Sequence, residues 1–369
     1  MLGDEQIDAL YRTQKSIESR MMTTKKLTKK KTPPKEVKKS VQMDLFGRFV
    51  SNDGAEVSNT VELWDSIPKY IFTPHQMKKL RSAEGLAKPY KWEFSHGGVP
   101  CMIVIQPALI EQKDGSYLAF FPSVTEELVE EALKKILCDQ QYGMHDVEKS
   151  ETWVRFTLRM IQKELKARGR DRKTAEIKHA LEVMGKCILT YYQNSKEVWN
   201  GAILQDLVTV GRDEYLADRE AQHVARLPLF VTRSINRLEY RQFNVDRLMG
   251  CNEQLTRWVF RQLINRYTQA SYMNSYHFMY SKVKESGLLQ QSTERDNRKK
   301  MISCLDEAIE QKVISRYDAE ERREGRKIVD VKYTVHPTRE FIAEQKASNK
   351  RASDHLATAK RARIALVDK

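Results

Sequence analysis

The chain reads as an α+β protein in which one small unit (helix, strand, helix, helix, two-stranded ribbon) occurs twice in tandem. Three observations predict this. Eight of the ten prolines fall before residue 123, so a turn-rich first third gives way to a remainder interrupted only by Pro228 and Pro337. Beyond that point, runs with apolar residues at helical spacing alternate with short β-branched and aromatic runs. The order of these elements then recurs about 125 residues later, as an internal duplication would make it.

Between Lys15 and Ser40 lie ten Lys or Arg, the Pro33-Pro34 pair and almost no large apolar residue. Such a composition cannot bury enough surface to order itself, so residues 1–50 are expected to form a disordered basic arm. Residues 51–122 form a β-rich segment. Within it Tyr90 to Phe94, Cys101 to Ile105 and Tyr117 to Phe121 read as a small β meander, with Gly97-Gly98 and Asp114-Gly115 as turn formers.

The first repeat occupies residues 123–244, bridging segment included. Ser123 and Thr125 can cap a helix carrying Leu128, Val129, Ala132, Leu133, Ile136 and Leu137. A strand from Trp153 to Thr157, a helix from Leu158 to Arg168 stopped by Gly169, and a further helix from about Asp171 to Gly185 follow. Cys187 to Tyr192 and Val198 to Val210 then make a ribbon about a turn at Gln193 to Lys196. In the second repeat, residues 245–340, Asn252 caps a helix carrying Leu255, Trp258, Val259, Leu263, Ile264 and Tyr267. After it come a strand at Tyr276 to Met279, a short helix from Ser281 to Gly287, and a third helix capped by Thr293 and running through Gln311. Val313 to Tyr317 and Ile328 to Val335 form the ribbon, whose charged tip spans Glu320 to Lys327. The segments Lys186 to Tyr191 and Lys312 to Tyr317 share Lys, Ile and Tyr in register. This is the winged-helix order, so the expected fold is two tandem winged-helix domains preceded by a small β meander and a disordered basic arm. A basic carboxyl-terminal tail, residues 341–369, closes the chain.

Lys and Arg total 64 against 50 Asp and Glu, a formal charge of +14, which calls for a polyanionic partner. Nucleic acid comes first, although ribosomal and membrane-surface proteins share such charge. Five widely spaced cysteines without a C-x-x-C pair read as reduced core residues and not as a zinc or redox site. Met1 to Arg20 is charged throughout and nowhere do 18 apolar residues run together, so a cytoplasmic protein without a membrane partner is expected. No G-x-x-x-x-G-K-[ST] loop occurs. His75, His96, His145, His179, His223, His277, His336 and His355 never form a close pair, which removes the metal-dependent nicking site of rolling-circle initiators. Carboxylates such as Glu164 and Glu307 read as solvated helix faces. The chain is therefore expected to be no enzyme, with no catalytic residue, metal or cofactor.

Binding chemistry is better represented. In a winged helix the third helix lies in the major groove and the wing reaches phosphates or the minor groove. The first third helix offers Arg168, Arg170, Arg172, Lys173 and Lys178, with Ile177, Leu181 and Met184 facing the core. The second offers Arg295, Asn297, Arg298, Lys299 and Lys300 ahead of an inward Ile302, Leu305 and Ile309, and its wing offers Arg322, Arg323, Arg326 and Lys327. Arg pairs bidentately with guanine and Asn with adenine, so these residue types suit base readout; the competing reading is of solvated charged faces. Gln42-Met43-Asp44-Leu45-Phe46 resembles the pentapeptide with which bacterial replication proteins dock on the sliding clamp. Alternatively, Leu45, Phe46, Phe49 and Val50 begin the folded region.

Together these stretches resemble the iteron-binding replication initiators (Rep proteins) of bacterial plasmids. The resemblance covers roughly residues 90 to 340 as element order. It is sharpest at Phe121 to Leu128, at Leu227 to Ile235 with Tyr240 to Asn244, and at Arg257 to Leu263. It implies an origin-binding protein that grips direct repeats in duplex DNA, promotes local opening, and meets a replicative helicase or host origin-opening protein. It also implies a principal contact through Arg295, Asn297, Arg298, Lys299 and Lys300, further DNA contacts and homodimerisation through the first domain, and a nucleoid- or plasmid-associated location. The long segment before Tyr90 departs from compact members of that group. A winged-helix transcriptional repressor and a non-specific nucleoid protein are the other classes these features fit.

Overall fold

A computed structural model of the chain describes residues 56–138, 142–146, 149–209, 211 and 222–361. The basic arm, the pentapeptide Gln42 to Phe46 and the last eight residues lie outside them. The described chain opens with a strand, Val57–Thr60 (β1), and two short helices, Glu62–Ser66 (α1) and Pro74–Leu80 (α2). A Thr73 capping box, with proline in the first turn, starts α2. Four strands follow, Tyr90–His96 (β2), Val99–Gln106 (β3), Ala108–Glu111 (β4) and Tyr117–Phe120 (β5). They form two hairpins, β2 with β3 and β4 with β5, where a single meander was expected.

The first repeat contains Val124–Leu137 (α3), Gly143–Asp146 (β6), Glu151–Phe156 (β7), Leu158–Ala167 (α4), Thr174–Lys186 (α5), Ile188–Gln193 (β8), Lys196–Ala202 (β9), Gln205–Val208 (β10), His223–Arg226 (β11) and Leu229–Asn236 (α6). Ser123 caps α3, and Glu126 returns a bond to the Ser123 backbone N–H at 2.6 Å. The helices lie where the apolar spacing puts them, but the strands pair differently. Ribbon β8–β9 turns at Asn194 and Ser195, both left-handed at φ +49° and +62°, as a two-residue hairpin favours. It then extends the β2–β3 hairpin into one sheet, ordered β2-β3-β8-β9, while β7 lies in a second sheet ordered β10-β11-β7-β6. So β2 and β3 do not simply precede the first domain; they complete its sheet. The single strand expected over Val198 to Val210 breaks at Ile203 and Leu204, whose burial turns the chain from one sheet into the other.

The second repeat follows Arg241–Asn244 (β12), which pairs antiparallel with β1. Its elements are Val245–Gly250 (α7), Gln254–Arg266 (α8), Tyr276–Met279 (β13), Tyr280–Lys284 (α9), Glu294–Glu310 (α10), Ile314–Glu324 (β14), Lys327–Pro337 (β15) and a closing helix, Arg339–Arg361 (α11). Helix α8 begins after Glu253 and not from an Asn252 cap. Here the strand between the first two helices does close the ribbon, giving the antiparallel order β13-β15-β14. The wing turns at Gly325, whose φ of +59° is one that residues with a Cβ rarely adopt. Up to Arg361 the tail is helix, anchored by buried Phe341 and Ile342 and by the Arg241 to Asn349 hydrogen bond.

Polar chemistry joins the halves. Glu126, Glu127, Glu130 and Glu131 of α3 are all buried, and on α8 so are Arg257 and Arg261. Glu127 accepts from Arg257 at 2.8 Å and from Arg261 at 2.7 Å, Arg261 also reaches Glu131 at 3.1 Å, and Lys134 joins Glu131 to Asp65 of α1. Burial raises the Glu127 carboxyl, but the two guanidiniums outweigh it and hold the group well below the usual carboxylate range. All five cysteines are buried and unpaired with one another. Among the described residues no helix is long and apolar enough to cross a membrane.

Candidate nucleic-acid interface

Helix α10 is built to present one face. Thr293 caps it, its Oγ1 accepting from the Asp296 N–H at 3.1 Å, while Met301, Cys304, Leu305 and Ala308 are buried. That stripe turns Arg295 and Lys299 out to solvent and leaves Arg298 half-buried on the flank. Lys299 stands 3.8 Å from Asp296, and Lys300 reaches back to Glu253 at 3.4 Å. Glu294, whose charge would oppose a phosphate, already accepts from Tyr280 at 2.8 Å and Lys284 at 2.6 Å, which fastens α9 to α10. Asn297 does not reach the outer face. It is buried, its carboxamide oxygen taking the Gln291 N–H at 2.9 Å.

The ribbon is braced against the same helix, with Tyr317 donating to Asp306 at 3.1 Å and Ser281 of α9 holding Asp330 of β15 through backbone and hydroxyl. Its tip exposes Arg322, Arg323, Arg326 and Lys327; Arg323 pairs with Glu321 at 2.5 Å. Third-helix cations and wing cations therefore stand on adjoining elements, with the ribbon bonded to α10 and α9.

In the first half the predicted residues divide. Ile177, Leu181 and Met184 are buried as the spacing requires, and Lys173 and Lys178 are exposed near the start of α5 beside half-buried Arg172. Arg168 and Arg170 are occupied within the chain. Arg168 bonds Glu164 at 2.6 Å and Asp246 at 2.7 Å. Arg170 donates to the Met249 and Gly250 carbonyls at 2.6 and 2.9 Å and to Asn252 at 2.8 Å, closing the carboxyl end of α7. Glu307, expected on a solvated face, is instead buried and accepts the Asn252 and Glu253 N–H groups ahead of α8.

One exposed residue on α10 was expected inside. Ile302 is 42% exposed, whereas Leu305 is buried and Ile309 half-buried as expected. The signal lay in the spacing: Ile302 follows Arg295, Arg298 and Lys299 by seven, four and three residues, which places it on their face.

No family model matches the chain, and no curated protein matches it. Among solved structures, domains 2 and 3 of RctB are similar to it in two crystal structures. One has 12% identity and a TM-score of 0.47, covering 74% of this chain and 97% of that one. The other has 11% identity and a TM-score of 0.42, covering 74% and 99%. The Pi initiator protein in complex with iteron DNA is similar at 11% identity and a TM-score of 0.34, covering 78% of this chain and 100% of that one. With every TM-score below 0.5, none of these likenesses carries the functional reading, which rests on the residues above.

Proposed function

We propose that the chain is a sequence-specific, double-stranded DNA-binding replication initiator whose two halves act as tandem winged-helix domains. The carrying observation is the outward stripe of α10, with Arg295, Arg298 and Lys299 presented beside a wing tip bearing Arg322, Arg326 and Lys327. A helix with side chains of this kind fits the major groove, where Arg pairs with guanine O6 and N7. The wing cations are placed for phosphates. Lys173 and Lys178 give the first half a second, weaker grip, and two grips on one repeat favour a bent or untwisted duplex.

In this reading the protein acts through binding energy and has no catalytic group of its own. It binds direct repeats, promotes opening of adjacent duplex, and recruits the sliding clamp through Gln42, Met43, Asp44, Leu45 and Phe46, with a replicative helicase or host opening protein as further partner. The test has two stages. Selection from a random duplex pool should enrich one motif that outcompetes random DNA at physiological salt. Tandem copies beside an A/T-rich segment on a supercoiled plasmid should then become permanganate-reactive when the protein and host opening factors are added. Binding without reactivity would replace initiation by repression, and equal affinity for all duplexes would leave a nucleoid protein.

A further inference from the structure

Ile302 stands among charges. It is 42% exposed, one helical turn beyond Arg298 and Lys299 and two beyond Arg295, with exposed Ser303 next to it and exposed Asp306 one turn further on. Its exposure is no sign of a loose core, since Met301, Cys304 and Leu305 beside it are wholly buried. A single surface aliphatic is ordinary in itself. Its place is what matters, inside the stripe by which α10 would meet a base edge.

We propose that Ile302 is a specificity-determining contact that packs against the C5 methyl of a thymine in the major groove. The inference rests on the reading of α10 as the DNA-reading helix. Among the four bases only thymine shows an apolar group on its major-groove edge, so an aliphatic side chain can select it where a hydrogen-bonding one cannot. Isoleucine suits the task because its branched Cβ fixes χ1 within a helix, and little freedom remains to be lost on contact. Arg295, Arg298 and Lys299 are longer and reach past it to phosphates or guanines, which leaves the shorter Ile302 against the base edges between them. Burial of the pair also removes apolar surface that free α10 shows to water.

The experiment uses the full chain and the best duplex selected from a random pool. Each thymine of that duplex is replaced in turn by 2′-deoxyuridine, which removes the methyl and leaves every hydrogen-bonding atom in place. One replacement should weaken wild-type binding about fourfold, the worth of one buried methyl group. Ile302→Ala should bind the thymine duplex more weakly and be indifferent to that same replacement, with its melting temperature unchanged because the side chain is exposed. Ile302→Val should retain part of the sensitivity. Indifference of the wild type at every thymine, or a sensitivity that Ile302→Ala keeps, overturns the assignment while leaving α10 as the reading helix. If selection enriches no duplex at all, the proposed function itself fails.

Discussion

Asn297 is buried with its carboxamide bonded to Gln291, whereas Arg298, the next residue on α10, faces partly to solvent. Substitution separates the two roles. Asn297→Ala should lower stability by about 0.5–1.5 kcal/mol, the worth of the hydrogen bond to the Gln291 N–H that it removes, and leave the preference for one duplex over another unchanged. Arg298→Ala should leave the denaturation midpoint in place and lose about 1–3 kcal/mol on the preferred duplex; equal loss on random duplex would make it a phosphate contact. Composition and helical spacing made the cation cluster legible. They could not show that Asn297 caps a turn or that Arg170 closes α7, because both depend on partners positioned by the fold. A histidine offers a further residue-scale test. His145 is buried between Thr152 at 2.8 Å and Asn236 at 2.7 Å. Burial lowers its pKa from 6.5 to about 4, against opposing contributions from Asn236 and Asp146. The unfolded chain then binds the proton more readily, so the stability His145 contributes is complete above pH 6.5 and is lost as pH falls toward 4. The loss is on the order of 3 kcal/mol. Denaturation at pH 7.5 and 4.5 should show a larger drop for the wild type than for His145→Gln; equal drops would place the acid sensitivity elsewhere.

At the scale of elements, α3 and α8 pack through charge. Glu127 lies between Arg257 and Arg261, and all three are largely withdrawn from water. Two guanidiniums left without that carboxylate would remain buried, so Glu127→Ala should cost about 3–5 kcal/mol. Replacing the central pair together, Glu127→Leu with Arg257→Met, removes buried charge from both sides and should cost much less than the sum of the single changes. Denaturant midpoints for the two single variants and the double variant measure this; an additive result would show that the pair is not coupled. Glu130 and Glu131 of α3 precede Lys134 by four and three residues, a spacing that an exposed helix face would also show, and only the approach of α8 and α1 buries them. Helices were legible for a physical reason: their apolar stripe is set by neighbours three and four residues away. The partner of a strand is set by loop closure over long distances, which alternation does not encode. That is why β8–β9 was anticipated as a ribbon while its union with β2–β3 was not.

For the whole molecule the question is how many grips it has. Of the net charge of +14, residues 123–244 carry only +1 (20 Lys and Arg against 19 Asp and Glu) and residues 245–340 carry +4 (18 against 14), and charge counts toward affinity only where a cation displaces a counterion from a phosphate. In the second half the wing residues Arg322, Arg326 and Lys327 are the candidates for phosphates, and in the first half Arg172, Lys173 and Lys178. If both halves touch phosphates through these, log affinity should fall against log salt with a slope of about −5.4; if the second half acts alone, the slope should be about −2.7. A triple variant, Arg172→Ala, Lys173→Ala and Lys178→Ala, separates the cases without touching the proposed base readers. With two grips its slope should be shallower than that of the wild type by about 3, and its preference for the selected duplex should survive, since phosphate contacts carry no sequence. With one grip the triple variant should match the wild type at every salt concentration. That match would also remove gripping at two points as the source of duplex distortion, leaving only whatever bend the second half imposes through its third helix and wing.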